Sequence, residues 1–230
     1  MAAFSYWVCG VSLPYFSLFP INDIFPLLKL TLPFAALTLL LVLSQRLGVL
    51  TVSTLLGDSS TGIFSSVTRV VDGLKLGHYA ILGALLPVIS RGALESKQKF
   101  RKGFVFLIGS TLLMACLLSL FPRAVILIIY GEAFATAIPI LSLLGWSLIP
   151  YTISSFISYD LIAQRKELTL VKATAISLCV FLVLYLRLIS VYGLNGAILA
   201  ALFGEIIQAM IFYGFSAGAK HASPLQNTTN

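Results

Sequence analysis

The stretch "LLKLTLPFAALTLLLVLSQRLGVLTV", residues 27–52, decides the fold class. It is almost continuously apolar, and Lys29 and Arg46 are its only charged residues. As a helix, about 20 apolar residues cross about 30 Å of hydrocarbon, and lipid offers no partner to an unpaired backbone group. The apolar residues follow one another without the alternation that a barrel strand needs. The stretch therefore predicts a transmembrane helix.

The rest of the chain has the same character. Of its 230 residues 59% are apolar and 10% are charged, and the mean hydropathy is +1.01, far from values typical of soluble proteins. We predict an all-α, polytopic membrane bundle. Its core is expected at residues 26–215, preceded by a partial transmembrane segment at 1–25 and followed by a polar cytoplasmic tail at 216–230.

Short polar segments divide the chain into six clear spans, at residues 26–52, 62–90, 103–121, 134–163, 173–189 and 197–215. The turn "GDSST" separates the first two, and Pro139 and Pro150 are expected to kink the fourth or mark its joints. Residues 4–19 are apolar but interrupted by Pro14, which predicts the remnant of a seventh span. A secretory signal is the alternative, although no basic residue precedes the apolar part and no cleavage site follows it.

Basic residues fall in alternate loops. Five lie between Arg91 and Lys102, three lie between Arg165 and Lys172, and Lys220 is in the tail, whereas the other loops hold only Arg123 and Arg187. The positive-inside rule places the richer loops and the C-terminus in the cytoplasm, so we expect a multi-pass protein of the cell (cytoplasmic) membrane. The net charge of +7 then reflects topology and attraction to membrane lipids, and no nucleic-acid partner is expected.

The sequence holds no recognisable catalytic set. It lacks a phosphate-binding GxxxxGK[ST] loop, and its two histidines, His78 and His221, have no nearby partners for Ser-His-acid chemistry. The three cysteines are far apart, without metal-ligand spacing. We therefore expect a protein that is not an enzyme, with no cofactor and no metal site.

Charged and titratable residues inside the spans are the distinctive chemical feature, and the candidates for a substrate path are Arg46, Arg69, Asp72, Lys75, His78 and Glu205. Such groups are costly against lipid and normally face a bundle interior or a wet cavity. From Arg69 to His78 the row repeats every three residues, which confines it to about half of a helix surface. Asp72 can neutralise one neighbouring cation. In the alternative interpretation Arg69 snorkels to the interface and the charge pairs only hold helices together.

Small residues recur at four-residue spacing in two spans. Gly73 and Gly77 form a GxxxG motif, and Gly196, Ala200 and Gly204 repeat the spacing in the last span. This pattern lets helix backbones approach closely, and it predicts a packed bundle without indicating a substrate.

Several segments together resemble a known family. In chain order they read "LLGDSSTGIFSSVTRVVDGL", "ALLPVISR", "IIYGEAFATAIPILSLLGWSLIP" and "VYGLNGAILAALFGEIIQ". Over residues 26–215 the chain resembles the C-terminal half of polysaccharide (O-antigen, Wzx-type) flippases in the multidrug/oligosaccharidyl-lipid/polysaccharide exporter superfamily.

The resemblance implies two six-helix lobes that enclose a central cavity and rock to move a lipid-linked oligosaccharide across the cytoplasmic membrane. A cationic cavity would accept the anionic pyrophosphate or acidic sugars, a role that fits Arg46, Arg69 and Lys75. The first lobe is missing from this sequence, so we expect either a truncated gene product or a half that pairs with an N-terminal lobe or second chain.

Two other functions stay open on the sequence. A small-molecule exporter of the related MATE branch would favour acidic cavity residues, for which Asp72 and Glu205 qualify. A non-transporting membrane scaffold subunit is the third possibility, because one lobe cannot enclose a cavity between two.

Overall fold

The computed structural model describes residues 21–89 and 94–221, with side chains over 31–84 and 101–218. Six α-helices make up nearly all of it: α1 (Ile21–Ile89), α2 (Leu94–Leu120), α3 (Pro122–Tyr130), α4 (Ile138–Leu144), α5 (Leu148–Ala163) and α6 (Glu167–His221). Short 3₁₀ segments, Glu132–Ala137 and Gly145–Ser147, join α3 to α4 and α4 to α5. The predicted all-α bundle is confirmed, while the predicted span at residues 4–19 lies outside the described residues.

The first helix folds back on itself at Gly57. This residue alone leaves helical geometry, with φ 78° and ψ −175°, a conformation that glycine adopts without steric cost. In a straight helix residues 48 and 64 would lie about 24 Å apart at about 1.5 Å per residue. Instead the Phe64 ring lies against Gly48, 3.2 Å from the position of a Cβ. The two arms of α1, residues 21–56 and 58–89, therefore form a helical hairpin.

The last helix repeats this arrangement at Gly193, where φ is 58° and ψ is −134°. The Phe181 ring packs directly against Gly204 on the other arm, which a straight helix would hold about 35 Å away. A third glycine with positive φ, Gly131, separates α3 from the following 3₁₀ segment. Because successive spans alternate in direction, these three turns lie at the same end of the bundle.

Four stretches are long and apolar enough to cross a membrane: Thr31–Ala84, Arg101–Leu120, Glu132–Ala163 and Glu167–Gly218. The first and last, of 54 and 52 residues, are the two hairpins, so each supplies two passes. The described part of the chain thus contains six membrane-crossing arms, in agreement with the six predicted spans. The chain is a multi-pass membrane protein.

Segment boundaries differ from the predicted ones at three places. In the predicted turn "GDSST" only Gly57 is non-helical, and Thr61 Oγ1 donates a helical hydrogen bond to the Gly57 carbonyl at 2.8 Å. The basic loop expected from Arg91 to Lys102 is helical from Leu94 onward, because α2 begins there. The C-terminal region expected to be a polar tail continues α6 as far as His221.

The fourth span is interrupted, as Pro139 and Pro150 predicted. Pro139 lies in the first turn of α4 and Pro150 in the first turn of α5, and each of these helices follows a 3₁₀ segment. Proline is tolerated in a first turn, where its missing N–H costs no helical hydrogen bond. The joints position α5 between the two hairpins.

Candidate polar cavity within the bundle

A cavity of about 210 Å³ lies between the α1 hairpin, α5 and the α6 hairpin. Its wall carries many polar side chains. Fifteen lining side chains carry polar groups: Ser44, Gln45, Thr68, Asp72, Lys75, Tyr79, Ser147, Tyr151, Ser155, Ser158, Tyr159, Thr174, Tyr185, Glu205 and Gln208. Leucines and other apolar residues complete the lining.

An ion pair joins the two hairpins across this cavity. Lys75 Nζ, on the second arm of α1, donates to Glu205 Oε1, on the second arm of α6, at 2.8 Å. The same ammonium lies 4.0 Å from Asp72 Oδ1 and 4.5 Å above the ring of Tyr151 on α5. Two carboxylates and the face of one aromatic ring therefore surround a single ammonium.

Two buried polar atoms beside this ammonium are unsatisfied. Within the described residues, neither Glu205 Oε2 nor the Tyr151 hydroxyl has a partner in hydrogen-bonding geometry. A buried polar atom without a partner carries a desolvation penalty, and in native proteins it often marks a functional position. Both residues line the cavity, but these two atoms are themselves buried, and the Tyr151 hydroxyl lies close to Tyr79 and Ser155.

The α5 contribution to the wall was not predicted from the sequence. Tyr151, Ser155 and Tyr159 recur every four residues on one face of α5, and Ser147, immediately before the helix, continues the spacing. A polar stripe of this kind in an otherwise apolar span is a readable signal. Its side chains are neutral, whereas the predicted site residues were the charged side chains of the spans and one histidine.

His78 has a different environment from the rest of the predicted row. It is buried on the side of α1 that faces α2 and α5, and it does not line the cavity. Its Nδ1 lies 3.0 Å from the Leu74 carbonyl and its Nε2 lies 2.6 Å from Thr111 Oγ1. Thr111 Oγ1 in turn lies 2.9 Å from Thr152 Oγ1. His78 thus joins three helices through a chain of polar contacts.

Arg46 and Arg69 are exposed on the outside of the described bundle, on the two arms of the α1 hairpin. They lie eleven and twelve residues from Gly57. At about 1.5 Å per residue this is roughly 17 Å from the turn, near the middle of a hydrocarbon layer of about 30 Å. Arg46 is close enough to Asp72 for their charges to attract.

Of the three cations expected to line one path, only Lys75 lines the cavity. The charged groups of the wall are two carboxylates and one ammonium, a formal charge of −1, with Arg46 acting on Asp72 from outside. The structure therefore separates the predicted residues into a cavity group, an exposed group and a buried histidine.

Neither a protein-family model nor a curated protein matches the chain. Among solved structures, the chain is similar to one described as the outward-facing conformation of a multidrug resistance MATE family transporter of the MOP superfamily, with a TM-score of 0.74 and 17% sequence identity. The match covers 99% of this chain and 54% of the transporter, so the chain spans about half the length of that protein. At this identity the likeness concerns the fold, and it does not distinguish the polysaccharide flippases from other branches of the superfamily. The chain has the helical fold of one half of a MATE-family transporter.

Proposed function

We propose that this chain is one lobe of a membrane transporter that translocates lipid-linked oligosaccharides across the cytoplasmic membrane by alternating access. One observation carries the proposal: Arg46 and Arg69 are both exposed on the α1 hairpin, eleven and twelve residues from its turn at Gly57. At about 1.5 Å per residue this places them near the middle of the hydrocarbon layer. A guanidinium facing lipid there costs about 3 kcal/mol on insertion scales. The cost is removed if the α1 hairpin faces an aqueous passage or another protein surface.

An anionic substrate gives these arginines a function. The pyrophosphate of a lipid-linked sugar needs compensating charge while it crosses a medium of low dielectric constant, and guanidinium groups bind phosphate with two parallel hydrogen bonds. A second lobe, in the same chain or in another, would close the passage on its opposite side. This proposal includes the orientation inferred from the basic loops, with the C-terminus in the cytoplasm.

A flipping assay in proteoliposomes tests the proposal, with a complete two-lobed transporter that contains this lobe. Arg46→Gln and Arg69→Gln are expected to reduce flipping of an acidic lipid-linked sugar per inserted molecule. Arg187→Gln is the matched control, because Arg187 is also exposed but lies only six residues, about 9 Å, from the turn at Gly193, and so less deep than Arg46 and Arg69. Parental flipping in both arginine variants would overturn the proposal.

A second candidate is favoured by the cavity charge. A MATE-like exporter of small organic cations would use carboxylates and aromatic rings, which are the groups around Lys75. In that case Glu205→Gln should abolish cation efflux, while Arg69→Gln should leave efflux unchanged. Absence of both activities in the complete transporter would leave the scaffold interpretation.

A further inference from the structure

We propose that the outer face of the α6 hairpin binds one anionic phospholipid, with an acyl chain in a groove between the two arms and the phosphate beside Lys172. The inference concerns the outside of the lobe. It does not depend on which substrate the transporter carries.

A groove of about 520 Å³ runs between the two arms of α6. Six residues line it: Thr169 and Ile176 on the first arm, and Ile211, Gly214, Phe215 and Gly218 on the second. Ile176 lies about 200° around the helix from Thr174, which lines the polar cavity. Its side chain is 45% exposed. The groove therefore opens on the outside of the bundle, away from the cavity.

The groove crosses the edge of the hydrocarbon layer. Its deeper end, at Ile176 and Ile211, lies 17 and 18 residues from the turn at Gly193, and its outer end, at Thr169 and Gly218, lies 24 and 25 residues away. At about 1.5 Å per residue these ends are roughly 26 Å and roughly 36 Å from the turn, on either side of a layer thickness of about 30 Å. The deeper end is thus at the level of acyl chains, and the outer end is at the level of headgroups.

A basic side chain stands at the headgroup level. Lys172 is exposed, lies 21 residues from Gly193, and falls between Thr169 and Ile176 on the same side of the first arm. No carboxylate is paired with it in the part of the chain that the structure describes. The segment from Arg165 to Lys172 carries three basic residues and one acidic residue. Basic pockets between transmembrane helices bind anionic lipid headgroups, so the charge here is complementary to such a lipid.

The form of the groove fits an amphiphile. Its lining is apolar apart from the Thr169 hydroxyl, and the positive charge lies only toward its outer end. At Gly214 and Gly218 no atom lies within 4 Å of the position that a Cβ would take, which leaves open space for a flexible chain. An acyl chain fills this space while its phosphate neutralises the Lys172 ammonium.

Native mass spectrometry of the whole purified chain, released from nonionic detergent micelles, tests the proposal by counting bound lipids. Phosphatidylglycerol is the probe. Phosphatidylcholine with the same acyl chains is the control, because its headgroup has no net charge. The parental chain should retain one phosphatidylglycerol and bind it more tightly than phosphatidylcholine.

Substitution of Lys172 tests the headgroup contact. Lys172→Gln should lower the affinity for phosphatidylglycerol roughly fivefold, the effect of one basic residue near a membrane surface, and leave phosphatidylcholine binding unchanged. Arg187→Gln is the matched control, because Arg187 is exposed on the same arm but lies only six residues from Gly193. That variant should bind both lipids like the parental chain.

Filling the groove separates a specific site from general attraction between charges. Gly214→Leu places a side chain in the groove without a clash in the lobe and with a gain in helix propensity. It should abolish the retention of phosphatidylglycerol. Gly109→Leu, at another exposed helical glycine with open space around its Cβ position, should retain the lipid. If Gly214→Leu does not fold, Gly218→Leu fills the outer end of the same groove.

Three outcomes would overturn the proposal: parental retention of phosphatidylglycerol with the groove filled, equal retention of the two lipids, or unchanged affinity in Lys172→Gln. A fourth would assign the groove to a different occupant. If this chain alone retains phosphatidylglycerol but a complete two-lobed transporter does not, the groove is a contact surface for the other lobe.

Discussion

Lys75 and Glu205 are 130 positions apart in the chain, and their charged atoms lie 2.8 Å apart in the fold. The two residues stand on different helical hairpins, which makes this ion pair a direct link between α1 and α6. Both side chains are largely buried, at 16% and 12% exposure, so neither charge can be satisfied by bulk water. This link is the basis of the first prediction.

Removing one member of the pair should be more harmful than removing both. Lys75→Met leaves the buried Glu205 without its ammonium, and we expect it to lower the free energy of unfolding by about 3–5 kcal/mol. Glu205→Leu should cost less, because Asp72 remains 4.0 Å from the Lys75 ammonium. The double variant should recover much of this loss, because apolar side chains replace both charges. Denaturation in micelles with a double-mutant cycle measures the coupling. Additive losses would show that the two residues act independently.

His78 should matter for stability and not for transport. Its ring contacts Thr111, which in turn contacts Thr152, and it does not itself line the cavity, although it packs edge-on against Tyr151 with ring centroids 6.4 Å apart. His78→Ala leaves buried hydroxyl groups without this contact, at a cost of about 1–3 kcal/mol. Unfolding in micelles measures the cost, and transport per inserted molecule should stay at the parental level. If a stably inserted His78→Ala variant lost transport, His78 would instead belong to the substrate path.

The glycines should separate into three classes when each is replaced by alanine. Gly57→Ala should cost about 1–2 kcal/mol from its left-handed backbone alone, since no atom lies near the place of a Cβ. Gly196→Ala should cost more, because its Cβ would collide with the Leu188 carbonyl. Gly73→Ala is the control. Its site is open in this lobe, so a loss of stability there would show an unexpected contact.

The prolines of the fourth span are expected to control conformational exchange. Replacing Pro139 and Pro150 by alanine supplies two N–H groups that could extend helical hydrogen bonding across the two joints, and it should favour a straighter span. Insertion should be unaffected, while transport by a complete two-lobed transporter should slow. Transport at the parental rate would mean that the joints are incidental.

The orientation of the bundle is tested by labelling single cysteines from the periplasmic side with a membrane-impermeant reagent. A cysteine at Asp58 or Ser59, next to the Gly57 turn, should react. One placed between Arg91 and Lys102 should be protected. The reverse pattern would invert the assigned topology.

The transmembrane helices could be predicted from the sequence, because a continuous apolar run in a membrane has few alternatives to a helix. It was less informative about the charged row, in which Arg69 and His78 differ by about 180° around their helix. One is exposed and the other buried, and they lie at opposite edges of the half of the helix surface to which the three-residue spacing limits the row. The partner of Lys75 could not be predicted, since nothing local connects it with a residue in the last span.

Because the chain is synthesised from its N-terminus, Asp72 also has a role during membrane insertion. Lys75 emerges from the ribosome long before Glu205, and at about 5–20 residues per second the intervening segment takes roughly 7–26 s to make. During that interval the first hairpin has its lysine but not its final counter-ion. Asp72, 4.0 Å away on the same arm, is the one carboxylate of the cavity already present. Asp72 can therefore serve as the counter-ion of Lys75 during insertion, until the last hairpin has been synthesised.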